Sequence, residues 1–151
     1  MQWQSFLGNY HGEDSIERLL DTLGIVDVPK LKRGDEDAYV KNRNAGVELT
    51  FTDEDTLDAV PRQYPEHALV LTNIRFYGPG ASKKFENFTA ALPSGLIFDM
   101  CYQDAVHVLG PEGGNDPDKT LVRWDLPDHV LFADFNDEDK LKVVSVQLAG
   151  A

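Results

Sequence analysis

Two stretches of this chain carry the same pattern at a fixed distance, and that repetition limits the folds open to it. Val47-Glu-Leu-Thr-Phe-Thr-Asp-Glu-Asp-Thr-Leu57-Asp-Ala-Val60 aligns with Leu131-Phe-Ala-Asp-Phe-Asn-Asp-Glu-Asp-Lys-Leu141-Lys-Val-Val144. An offset of 84 residues separates Phe51 from Phe135 and Leu57 from Leu141. Ahead of each copy a short helical pattern ends in Leu-Gly, at Leu23-Gly24 and Leu109-Gly110, an offset of 86. A helix-then-strands unit that occurs twice predicts an α+β fold of two tandem helix-plus-antiparallel-sheet repeats forming one domain over residues 1–151. Repeat one runs over about 13–80, a linker over 81–91 and repeat two over about 92–151. Phe51 and Phe135, Leu57 and Leu141, and Leu23 and Leu109 are then expected at equivalent core positions.

The local patterns give this outline its elements. Trp3, Phe6, Leu7 and Tyr10 form an apolar lead-in. Asp14 with Glu17 three residues later reads as a capping box, Ile16, Leu19, Leu20 and Leu23 share a helical face, and Gly24 is the left-handed stop. Strands are expected at 38–40, 47–52 and 68–77, with a weaker edge at 57–60 and a short strand entered over 92–98. Phe85 and Phe88 pin the linker to the core. The second helix spans about 102–109 with a cap near Asp99, followed by a loop over 111–119 and strands at 121–125, 130–136 and 141–148. Phe132 and Phe135 are three apart, so a regular strand exposes one of them; a bulge at Ala133-Asp134 turns both inward.

Charge narrows the partners. With 26 acidic residues against 14 basic ones the chain carries −12. Residues 1–75 hold 14 and 8 of these and residues 76–151 hold 12 and 6, so each half carries −6. Such a field repels nucleic acid and anionic membrane and speeds association with a basic protein. No apolar run approaches the ~20 residues that span a bilayer, and Met1 to Gly8 lacks the basic and apolar stretches of a secretory signal. Cys101 is the single cysteine, which fits a reducing cytoplasm; a processed periplasmic form stays open.

No side-chain pattern points to catalysis. His11, His67, His107 and His129 stand at no ligand spacing, so neither a metal nor a cofactor is expected. Cys101 reads as a packed, inert thiol. Asp53-Glu54-Asp55 and Asp137-Glu138-Asp139 lack the glycine and distant glutamate of a calcium loop, and read as turns. Gly78 to Lys84 lacks phosphate-loop spacing, and there is no nucleophile elbow or dinucleotide fingerprint. A hydrolase using scattered carboxylates is the weakest reading.

Helix, Leu-Gly, variable loop, aromatic strand, then a hairpin with Phe, acidic residues and Leu is an order that resembles the tandem repeat of the β-lactamase-inhibitor-protein fold. It also looks like the single-copy outer-membrane assembly lipoproteins of the same shape. The match is best at Leu109-Gly110-Pro111, Trp124, Val130–Phe135 and Leu141–Val146; Ile25 stands where the second unit has Pro111. The resemblance implies inhibition by protein–protein contact, although the inhibitor's disulfides have no counterpart here. In character the chain also resembles bacterial immunity proteins, which block a cognate toxin delivered by contact-dependent or type VI secretion. The resulting expectation is a non-enzymatic immunity protein that occludes a cognate, basic toxin and binds neither nucleic acid nor membrane. The alternative is a structural or envelope-assembly module. Partner contacts are expected from Glu48, Thr50, Asp116, Asp118 and Asp134, with Phe132 and Trp124 as apolar anchors.

Overall fold

The period-two segments do become strands, and they join one sheet. The computed structural model describes residues 1–58, 62–118 and 120–151. Its strands are β1 (Asp37–Asn42), β2 (Val47–Asp53), β3 (Leu69–Tyr77), β4 (Gly114–Asn115), β5 (Leu121–Asp125), β6 (His129–Phe135) and β7 (Leu141–Leu148). The helices are α1 (Asp14–Leu23) and α2 (Tyr102–Leu109). Every neighbouring strand pair is antiparallel, in the order β1-β2-β3-β7-β6-β5-β4.

This single seven-stranded sheet overturns the expected fold of two helix-plus-sheet repeats. β3 and β7 pair with each other from Asn73–Gln147 to Tyr77–Val143, so neither half keeps a sheet of its own. A lone three-stranded sheet would leave a row of unpaired N–H and C=O groups at that edge, and the β3–β7 ladder satisfies them. The sequence match holds along one strand only. Val47, Leu49 and Phe51 on β2 and Leu131, Ala133 and Phe135 on β6 are all buried on the core side. After the acidic triplets the paths diverge. Leu141 opens β7 directly and is buried, whereas Leu57 is half-buried in a connection that reaches β3 only at Leu69. Leu109 is also only partly buried, at the rim of the core. In the expected edge strand at 57–60, Leu57 and Asp58 are not in a strand and residues 59–60 lie outside those described. The segment 92–98 makes a 3-10 turn at Pro93–Gly95 instead of a strand.

Each central strand carries one extra residue. Thr50 pairs with Asn73 but Phe51 pairs with Leu71, so Thr72 is the bulge in β3. Asp134 pairs with Val143 but Phe135 pairs with Leu141, so Lys142 is the bulge in β7. The first bulge turns Leu71 and Ile74, three apart, toward the same core; the second does so for Leu141 and Val144. The bulge on β7 leaves β6 regular: Phe135 is buried, and Phe132 faces the opposite side and is half-buried.

One face of the sheet is covered. Ile16, Leu19, Leu20 and Leu23 of α1, Ala105 of α2 and Trp3 pack on Val40, Leu49, Phe51, Ile74, Phe76, Val122, Trp124, Leu131 and Val146. Trp3 and Phe88 close on Phe76 at 5.3 and 4.6 Å, so Phe88 does hold the linker to the core. Phe85 instead stacks on Tyr77 at 4.0 Å on the other face. The linker passes so near Gly46 that a Cβ there would collide with the backbone of Glu86 and Phe88, and Gly46 also needs its φ of +70°.

The helix ends differ from expectation. Glu13, not Asp14, is the N-cap of α1. Its carboxylate accepts from the Tyr10 N–H at 2.8 Å and from Arg62 at 3.0 Å, which takes it away from any capping box. Gly24 ends α1 at φ +66°, and Ile25 N–H reaches back to Leu20 O at 2.9 Å. Cys101, half-buried and not packed inside, is the N-cap of α2. The polar group serving that end comes from the acidic turn: Asp139 Oδ1 accepts from the Tyr102 N–H at 3.1 Å. Asp99 stands in a left-handed turn at φ +73° and does not cap.

Candidate site on the uncovered sheet face

The residues that alternate with the core positions present a polar surface on the opposite side of the sheet. Over β1, β2, β3 and the end of β7 this surface is concave and forms a groove of about 510 Å³. Thr50, Thr52, Thr72, Asn73 and Gln147 line it together with Tyr39, Arg75 and Tyr77. Thr52 Oγ1 donates to Asp37 Oδ1 at 2.7 Å and lies 2.8 Å from Thr72 Oγ1. The Asn73 amide donates to Gln147 Oε1 at 3.3 Å, linking β3 to β7. These bonds fix the lining without closing it to solvent.

Its electrostatics are negative. Glu36, Asp37, Glu48 and Asp58 line the groove, and among the described residues the one basic side chain lining it is Arg75. The Tyr39 hydroxyl, although on a largely exposed side chain, is pushed above its usual range by partial loss of solvent first, then by the carboxylates of Asp37, Glu48 and Asp35. Burial also raises Tyr77, whose hydroxyl donates to Glu48 Oε1 at 3.3 Å; Glu48 adds to that rise and Arg75 opposes it.

The residues expected to bind a partner separate into distinct places. Glu48 and Thr50 lie in the groove. Asp116 and Phe132 line a second hollow of about 270 Å³, with Leu121 and Arg123, over β4, β5 and β6. Asp116 holds its own turn there, accepting from Thr120 N–H at 2.9 Å and Thr120 Oγ1 at 2.7 Å. Asp134 is half-buried on the same face. Burial pushes its carboxyl up and Asp116 adds to this, while Lys142 and Arg75 pull it down. Asp118 is exposed in the adjoining loop. Trp124 is no surface anchor. It is 1% exposed in the core, with its indole N–H donating to Gly110 O at 2.9 Å, because its place on β5 alternates inward between Arg123 and Asp125.

Tyr39, Asp37, Asn73, Arg75, Tyr77 and Gln147 were missed as site residues. The signal was present, since Asn73, Arg75 and Tyr77 alternate with the core residues Ile74 and Phe76. Among the described residues no group of three His, Cys, Asp or Glu side chains is placed to hold a metal ion, and no helix is long and apolar enough to cross a membrane. No protein-family model matches the chain, and no significant match is found among curated proteins or solved structures.

Proposed function

We propose that this protein is an immunity protein, which neutralises a cognate bacterial toxin by occluding a surface the toxin needs. The observation that carries the reading is the uncovered sheet face. It is polar and concave, and it is held in shape by hydrogen bonds between its own side chains. A preformed surface of that kind binds a folded partner without first having to be ordered, which lowers the cost of association. The partner is basic, such as a nuclease delivered by contact-dependent or type VI secretion. The net charge of −12 and the acidic lining favour encounter with a positive surface, such as one that otherwise holds nucleic acid.

Co-purification from the native host, together with competition between a deletion strain and its siblings, tests the proposal. Capture of a toxin encoded beside it, and loss of resistance in the deletion strain, are the expected results. If no such toxin is recovered and deletion leaves cells equally resistant, the proposal is wrong. Recovery of envelope components alone would favour an assembly module instead.

A further inference from the structure

The groove differs along its length. Glu36, Asp37 and Asp58 line the end where β1 begins and β2 finishes; Glu48, Arg75 and Tyr77 line the other. At the second end the chain already occupies its own groups. Tyr77 is stacked on Phe85, the Arg75 guanidinium lies 5.4 Å from the Tyr77 ring centre, and Glu48 accepts from the Tyr77 hydroxyl. At the first end, Asp37 accepts one hydrogen bond from Thr52. Among the described residues no cation forms an ion pair with Glu36, Asp37 or Asp58. Tyr39, two residues along β1 from Asp37 and lining the same groove, is 59% exposed, and among the described residues its ring meets no other ring and no cation.

We infer that this end of the groove seats an arginine side chain carried on a projecting loop of the toxin. The guanidinium lies against the Tyr39 ring and toward Asp37, Glu36 and Asp58. The partner's identity as a toxin rests on the immunity reading; the chemistry of the seat does not. A guanidinium is planar, weakly hydrated and always charged, so it can lie on an aromatic face while its N–H fork meets a carboxylate. A lysine ammonium is a compact, strongly hydrated point charge and makes poorer use of the ring. The exposed tyrosine beside the carboxylates therefore selects arginine over lysine.

Amide NMR of the whole chain, titrated with N-acetyl-tetraarginine amide, tests the assignment. Saturable shifts confined to residues 36–41, 50–53 and 56–58 are expected, with about two- to fivefold weaker binding by the tetralysine analogue and by Tyr39→Ala. Tyr39→Phe keeps the ring and should bind as wild type does. Shifts spread evenly over the acidic surface, including the Asp137–Asp139 turn, would overturn the inference. Equal affinity for arginine and lysine, or no loss in Tyr39→Ala, would overturn it too. These measurements need no toxin, so the two readings fail separately. A toxin bound equally well by wild type and Tyr39→Ala removes the arginine seat and leaves immunity standing. Localised arginine binding by a chain that protects no cell does the reverse.

Discussion

On β2, Val47, Leu49 and Phe51 are fully buried, while Glu48, Thr50 and Thr52, which alternate with them, are half-exposed and line the open groove. The same division runs through β3, where Ile74 and Phe76 are buried and Asn73, Arg75 and Tyr77 are turned to the groove. The covered face is held by side chains interlocked with α1, α2 and the amino-terminal turn. The open face carries a few side-chain hydrogen bonds, and Val70, Thr72, Val143 and Ser145 are buried on that side outside the main core. Stability therefore belongs mainly to one face, and the other is the face proposed for recognition, although adjacent residues of one strand serve both.

The largest effect expected from breaking this division lies on the covered face. Trp124→Ala should remove about 3–5 kcal/mol of unfolding free energy through the cavity it leaves, and the Gly110 carbonyl would lose its indole donor as well. Urea melts measure this, and a cost below about 1 kcal/mol would mean that the ring is not packed as described.

Next comes a residue that supports the covered face from outside it. Asp139→Ala should cost about 1–3 kcal/mol, from stripping the acceptor from the first turn of α2 and from placing an alanine at a φ of +59°. Asp137→Ala, two residues away and exposed, should stay within about 0.5 kcal/mol of wild type. Equal effects at the two positions in thermal melts would remove Asp139 as the partner of α2.

On the open face, Thr50→Ala and Tyr39→Ala should each change stability by no more than about 0.5 kcal/mol, while Tyr39→Ala weakens binding to the captured partner. Paired melts and binding isotherms would show whether the faces separate in this way. A Tyr39→Ala chain that unfolds far more easily would show the open face to be structural after all.

The smallest effect concerns Asp134. Its folded-state pKa is raised, chiefly by burial, so its ionised form is the less favourable one in the fold. A raised carboxyl supports the folded state below its unfolded pKa, and that support is lost as pH rises through the folded value. Asp134→Asn should therefore raise the melting temperature slightly at neutral pH. The gain should fade as pH falls through the ordinary aspartate range. A gain that is constant across that range would point to packing and not to ionisation.

Much of the strand content was legible because a half-wet strand shows its two faces as alternation. Val47 to Thr52 displays it, and so does Arg123-Trp124-Asp125, where the alternation between two charged neighbours turns Trp124 inward although a tryptophan by its type suits a surface anchor. The left-handed stop at Gly24 was equally readable, since α1's apolar face ends one residue before it. Asp139 as the polar partner of α2 was not, because the helix begins 37 residues earlier in the chain. The groove was half legible. Glu48 and Thr50 stood out on β2, but Tyr39, Arg75 and Gln147 join them only through strand pairing between distant segments.

The division between local and distant causes accounts for the repeat as well. Residue order alone determined that β2 and β6 each bury every second side chain, because period two is a property of the extended backbone and needs no partner. It also determined the acidity of both halves. Only the tertiary structure decided that Asn73–Tyr77 would pair with Val143–Gln147 and merge the strands into one sheet. It likewise decided that Thr72 and Lys142 would be the bulges, and which polar side chains would share a groove. Those outcomes depend on hydrogen bonds and close packing between residues dozens of positions apart, and the free energy of such contacts is written in no single segment.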